Sequence, residues 1–78
     1  MTKPRIISDP NIMVGKPTIE GTRLTVELIL EELAAGRTEE DLLHSYPRLN
    51  REGIHAALTY ALGVLRMDEV FPVFVKAA

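Results

Sequence analysis

Apolar positions change rhythm along this chain, and each rhythm predicts an element. Arg5-Ile6-Ile7-Ser8 is a brief β-prone run stopped by Asp9-Pro10, and Gly15 and Pro17 punctuate the stretch behind it. Thr18-Ile19 and Thr22-Arg23-Leu24 place β-branched or apolar arms around Glu20-Gly21, which predicts a tight hairpin. From Val26 the spacing turns helical: Val26, Ile29, Leu30, Leu33 and Ala34 fall on one side. Thr25 stands where an N-cap hydroxyl accepts a first-turn N–H, and Gly36 suits the residue just past a helix end. The first helix is therefore expected over 26–35.

Thr38 opens a second helix, expected over 39–45. Glu39, Glu40 and Asp41 occupy its first turn, where negative charge meets the positive end of the helix dipole. Thr38 and Asp41 have capping-box spacing, Leu42 and Leu43 supply the buried side, and Pro47 forces an end. Asn50 then caps a third helix over 51–67. Ile54, Leu58, Ala61 and Leu65 form its expected core stripe, with Arg51, His55, Thr59 and Arg66 near the opposite side. Gly53 and Gly63 each weaken that helix by ~1 kcal/mol relative to alanine; poor local propensity is the plain reading of both, and close approach of another chain is the alternative. The tail Phe71-Pro72-Val73-Phe74-Val75-Lys76 is apolar and β-prone and holds both phenylalanines.

Length makes this one domain of 78 residues, divided into a strand and hairpin region (1–25), a three-helix bundle (26–67) and an apolar tail (68–78). The expected fold class is mainly α. A chain this short buries only ~60% of its unfolded surface, and with no cysteine it has no disulfide or thiolate site to support it. Association, first of all as a homodimer, is expected to supplement the core. The net charge of −2 argues against a non-specific nucleic-acid coat and against a polybasic membrane anchor, while leaving room for a local basic patch. No apolar signal segment opens the chain and no apolar run approaches the ~20 residues of a bilayer span, so a cytoplasmic location is expected.

Four features offer candidate chemistry. The first is the order helix, turn Ser45-Tyr46-Pro47-Arg48-Leu49, helix, as in helix-turn-helix proteins, whose second helix lies in the major groove. Its candidate DNA-binding residues are Arg48, Asn50, Arg51, His55 and Thr59, with Glu52 beside them. Arginine pairs bidentately with guanine, and Asn50 at the helix start is suited to phosphate. Helix pairs of this kind also occur in proteins that never touch DNA, and this turn is longer than the tightest examples.

The second feature is Gly15-Lys16-Pro17-Thr18-Ile19-Glu20-Gly21-Thr22-Arg23. It has the residue types of a phosphate cradle without P-loop spacing, so Arg23 is read as a structural anchor pairing with a carboxylate or turn carbonyls. The third is the pair His44 and His55, on different helices and without metal-ligand spacing; no metal, no cofactor and no catalysis are expected. The fourth is the tail, where Phe71 and Phe74 are the candidate partner-binding residues, against the plainer reading of packing on its own core or in a dimer.

One stretch is more specific. Gly15-Lys16-Pro17-Thr18-Ile19-Glu20-Gly21-Thr22-Arg23-Leu24-Thr25-Val26 resembles the signature of the domain of unknown function 433 family, G-K-P-x-I-x-G-T-R-x-x-V. The likeness continues through Leu33-Ala34-Ala35-Gly36, the Thr38 to Leu49 segment and Ile54-His55-Ala56-Ala57-Leu58-Thr59-Tyr60-Ala61, and covers most of residues 6–61. Val14 departs from it, where a second glycine is usual. The resemblance implies a homeodomain-like three-helix fold preceded by short strands. It further implies a VapB-like antitoxin of a type II toxin–antitoxin pair, with a PIN-like ribonuclease toxin and operator DNA as partners. The competing expectation is a protein-interaction or dimerisation module that binds no DNA.

Overall fold

In the computed structural model, which describes residues 4–67, the elements run β1 (Ile6–Ile7), β2 (Thr18–Ile19), α1 (Val26–Ala34), α2 (Glu39–Ser45) and α3 (Arg51–Met67). The helix ends follow from local chemistry. Thr25 Oγ1 accepts from the Leu28 N–H at 2.9 Å and starts α1. Gly36 ends it with φ +96°, a left-handed backbone that only glycine adopts without strain. Thr38 and Asp41 form a reciprocal capping box at the start of α2 (3.1 and 2.9 Å). Hydrogen bonding from the Thr38 backbone N–H, and next from its side chain, lowers the Asp41 carboxyl from its ordinary value. Asn50 Oδ1 accepts from the Gly53 N–H at 2.7 Å and caps α3.

The strands differ from the expected hairpin. β2 pairs antiparallel with β1, Ile6 opposite Ile19 and Ile7 opposite Thr18. On its other edge Thr18 bridges Thr25, and the Ile19 N–H bonds the Leu24 carbonyl at 2.9 Å. The returning arm thus begins at Leu24 rather than Thr22. Thr22 belongs to the turn: its hydroxyl donates to the Ile19 carbonyl (2.8 Å) and accepts from the Leu24 N–H (3.0 Å). Gly21, at φ +85°, makes the reversal possible. Between β1 and β2 the chain makes a tight turn, Met13–Gly15, in which all three residues have positive φ. Val14 sits there at φ 57°, 92% exposed. A β-branched residue in that region carries strain of order 1–3 kcal/mol, which accounts physically for the usual glycine that Val14 replaces.

Ile19, Val26, Ile29, Leu42, Leu49, Ile54 and Ala57 form the core, so β2, all three helices and the α2–α3 turn contribute to it. Arg37 ties α1 to α2 from outside, bonding Glu32 (2.7 Å), the Asp41 carbonyl (3.2 Å) and Ser45 Oγ (2.6 Å). The expected α3 stripe is corrected in two ways. Ile54 and Ala57 are buried, but Leu58 and Leu65 are exposed (39% and 53%). The packed face of α3 is centred on Gly53, Ile54 and Ala57, and Leu58 lies beside it rather than on it. Over its last turns the helix presents Leu62, Val64, Leu65 and Met67 to solvent.

Gly53 is buried for a packing reason that propensity alone did not supply. A Cβ there would lie 3.2 Å from Asn50 Oδ1, 3.3 Å from Leu49 and 3.4 Å from Ile19. At Gly63 a Cβ would meet nothing within 4 Å. Gly63→Ala is therefore expected to stabilise the protein by about 1 kcal/mol and raise the melting temperature by roughly 4–8 °C. A thermal melt followed by circular dichroism checks this; an unchanged or lower midpoint would mean that a Cβ at 63 meets a neighbour.

Candidate nucleic-acid interface

The five residues picked from the sequence lie along the entrance and outer side of α3. Arg48, Asn50, Arg51, His55 and Thr59 are all exposed, while Gly53, Ile54 and Ala57 face inward. Four of the five have partners within the chain, and three of these partners lie at the start of α2 or α3. Asn50 spends its amide oxygen on the helix cap. Arg51 Nη1 lies 3.1 Å from Glu39 Oε1, and its Nη2 lies 3.8 Å from Glu40. His55 Nε2 stands 3.9 Å from the same Glu39 oxygen. The acidic first turn of α2, read from the sequence only as dipole-compensating, is thus also the counter-charge of the α3 entrance. The α2–α3 crossing makes this pairing, across twelve residues of chain.

Arg48 points elsewhere. Its Nη1 is 3.4 Å from the Gly21 carbonyl. It shares a cleft of about 460 Å³ with Ile12, Gly21, Thr22 and Arg23. Arg23 was expected to anchor a carboxylate or turn carbonyls, and among the described residues it makes neither an ion pair nor a side-chain hydrogen bond. The charge pairing near that turn belongs instead to Arg5 and Glu20 (2.9 Å). Hydrogen bonding from Arg5 lowers the Glu20 carboxyl from its ordinary value, and Glu20 correspondingly raises Arg5.

A second surface lies between the start of α1 and the far half of α3. Here Pro17, Val26, Leu30, Tyr60, Val64 and Leu65 border an apolar cleft of about 410 Å³. Lys16 and Glu27, 3.3 Å apart, neutralise each other at its rim. Phe71 and Phe74 lie outside the described residues. Among the described residues, no group of three or more His, Asp or Glu is placed to hold a metal, and no helix is long and apolar enough to cross a membrane.

These features define a small, mainly helical domain with an N-terminal antiparallel strand pair, an exposed polar face at the start of its longest helix and an apolar cleft towards that helix's end. Residues 6–61 match the model of the family described as "Protein of unknown function (DUF433)", and the chain belongs to that family. It is also 38% identical over 56 residues to "Uncharacterized protein y4eO" of Sinorhizobium fredii. That alignment covers 72% of this chain and 25% of the relative, so the chain spans about a quarter of the curated protein it matches. No solved structure matches it significantly.

Proposed function

We propose that this protein is a non-catalytic antitoxin of a type II toxin–antitoxin pair that binds operator DNA through α3. The observation that carries the reading is the α2–turn–α3 arrangement, in which the inner side of α3 closes the core while Arg51, His55 and Thr59 form one exposed line. A helix presented in this way fits the major groove, with Arg51 placed for a guanine edge. A homodimer would set two such helices on half-sites about one DNA turn apart. The apolar cleft against α1 suits a protein partner, here a PIN-like ribonuclease. The pairing of these roles in one small chain is what the resemblance of the signature at residues 15–26 implies.

Glu39 makes this reading testable in an unusual direction. It holds Arg51 in the free protein and presents a negative charge towards DNA. Glu39→Gln should leave Arg51 with only the longer Glu40 contact and tighten DNA binding about two- to fivefold, since exposed ion pairs are worth about 0.2–1 kcal/mol. In an Arg51→Ala background the gain should shrink to the smaller part that comes from removing a negative charge near DNA. A gel shift with both variants measures it, and equal affinity of Glu39→Gln and the parent would count against a base-reading Arg51.

The second reading is a protein-interaction module without DNA binding. It is favoured by the same ion pairs, which occupy Arg51 with two carboxylates in a chain of net charge −2. The two readings part on whether DNA displaces those carboxylates.

A further inference from the structure

We propose that Arg23 and Arg48 form a clamp for a backbone phosphate of DNA, at a cleft separate from the base-reading line of α3; this rests on the DNA-binding reading above. The first ground is charge. Among the described residues Arg5, Lys16, Arg37 and Arg51 are each within 4 Å of a carboxylate. Arg23, Arg48 and Arg66 have no carboxylate that close among the described residues, and of these Arg23 and Arg48 line one cleft. An anion seated in that cleft would be attracted by both positive charges.

The second ground is what the fold asks of the Gly21-Thr22-Arg23 turn. Gly21 supplies the left-handed backbone and Thr22 supplies two hydrogen bonds that close the turn. Arg23 supplies none, so the fold does not account for its charge. Its backbone is nevertheless held firmly, by a turn pinned to β2 and to Arg48 through the Gly21 carbonyl. An arginine held on a fixed turn with its guanidinium unengaged suits charge-assisted bonding to phosphate oxygens.

The third ground is position. Arg48 lies three residues before Arg51 on the segment that leads into α3, so the cleft adjoins the proposed DNA face. The cleft is open and lined by exposed arginines rather than by an enclosed polar cage. That form fits a phosphodiester on a large polyanion better than a small free anion. Contacts of this kind set register on the duplex and carry no sequence information.

The test uses the full chain with Arg23→Ala, Arg23→Lys and Arg48→Ala. Fluorescence anisotropy is read on the protein's own upstream duplex and on a random duplex, across salt concentrations, and inorganic phosphate is titrated in parallel by NMR of the arginine Nε–H groups. Arg23→Ala should keep the parent's melting curve. Each alanine variant should weaken binding to both duplexes by about tenfold and reduce the slope of log affinity against log salt by about 1. Arg23→Lys should retain most of that slope. Parent-like affinity and slope in Arg23→Ala would overturn the clamp while leaving the DNA reading standing. A parent protein that binds neither duplex, with and without a PIN-like ribonuclease added, would overturn the DNA reading. In that case, phosphate-induced shifts at Arg23 and Arg48 would reassign the cleft to a free phosphate group, and their absence would remove the site altogether.

Discussion

Ile54→Ala is expected to destabilise the protein by about 2–5 kcal/mol, the range for removing a fully buried aliphatic side chain and leaving a cavity. Ile54 is 0% exposed and lies where α1, α2, α3 and β2 meet in one cluster. The loss is large against the whole, because a chain of this length has a net stability of only about 4–12 kcal/mol. Few compensating contacts exist, since just seven apolar residues are buried among those described. Urea denaturation should show a much lower midpoint with an unchanged slope. Leu65→Ala, at a position 53% exposed, should cost less than about 0.5 kcal/mol. Similar losses at the two positions would mean that the far end of α3 is as covered as its start.

Arg51→Ala is expected to cost about 1–3 kcal/mol of specific DNA binding, roughly a 5- to 150-fold loss of affinity. The effect should fall mainly on the preferred sequence, because a bidentate arginine contact discriminates between bases. Folding should barely change. The Arg51–Glu39 pair is half-exposed on the arginine side (53%), and exposed pairs contribute at most about 1 kcal/mol. Any dimer should survive as well. The contrary result, a variant that loses its dimer while DNA binding is untouched, would place Arg51 in a protein interface and end the base-reading role. The contrast with Arg23→Ala is diagnostic: one variant should relax sequence preference, and the other should weaken all DNA alike.

The helices were legible because their signals are local. Thr25, Gly36, Thr38 with Asp41, and Asn50 each act on a backbone group a few residues away, so α2 and α3 occupy the expected 39–45 and 51–67. What was not legible is what the chain brings together from a distance. Two-residue strands have no period to read, and the β1–β2 pairing appears only when Ile6 lies opposite Ile19. The packed side of α3 depends on where Ile19 and Leu49 approach Gly53, whereas sequence spacing runs the stripe through Ile54, Leu58, Ala61 and Leu65, of which Ile54 is buried and Leu58 and Leu65 are exposed. Glu39 and Arg51 were both noticed, one as a dipole charge and the other as a base reader, but not as partners. Arg23 reads as an anchor from sequence because its stretch lacks P-loop spacing. The turn is closed without it, by the Thr22 hydroxyl and by the backbone bonds of Thr22 and Leu24 with Ile19.

If α3 places this protein on its own operator, a gel shift of the purified full chain on its upstream DNA should show it, with random duplex as competitor and salt as the variable, repeated with the proposed PIN-like ribonuclease added. Binding should survive an excess of random duplex and weaken steadily as salt rises. No preference over random duplex, with and without the ribonuclease, would contradict that reading and leave the protein-interaction module as the reading of this fold.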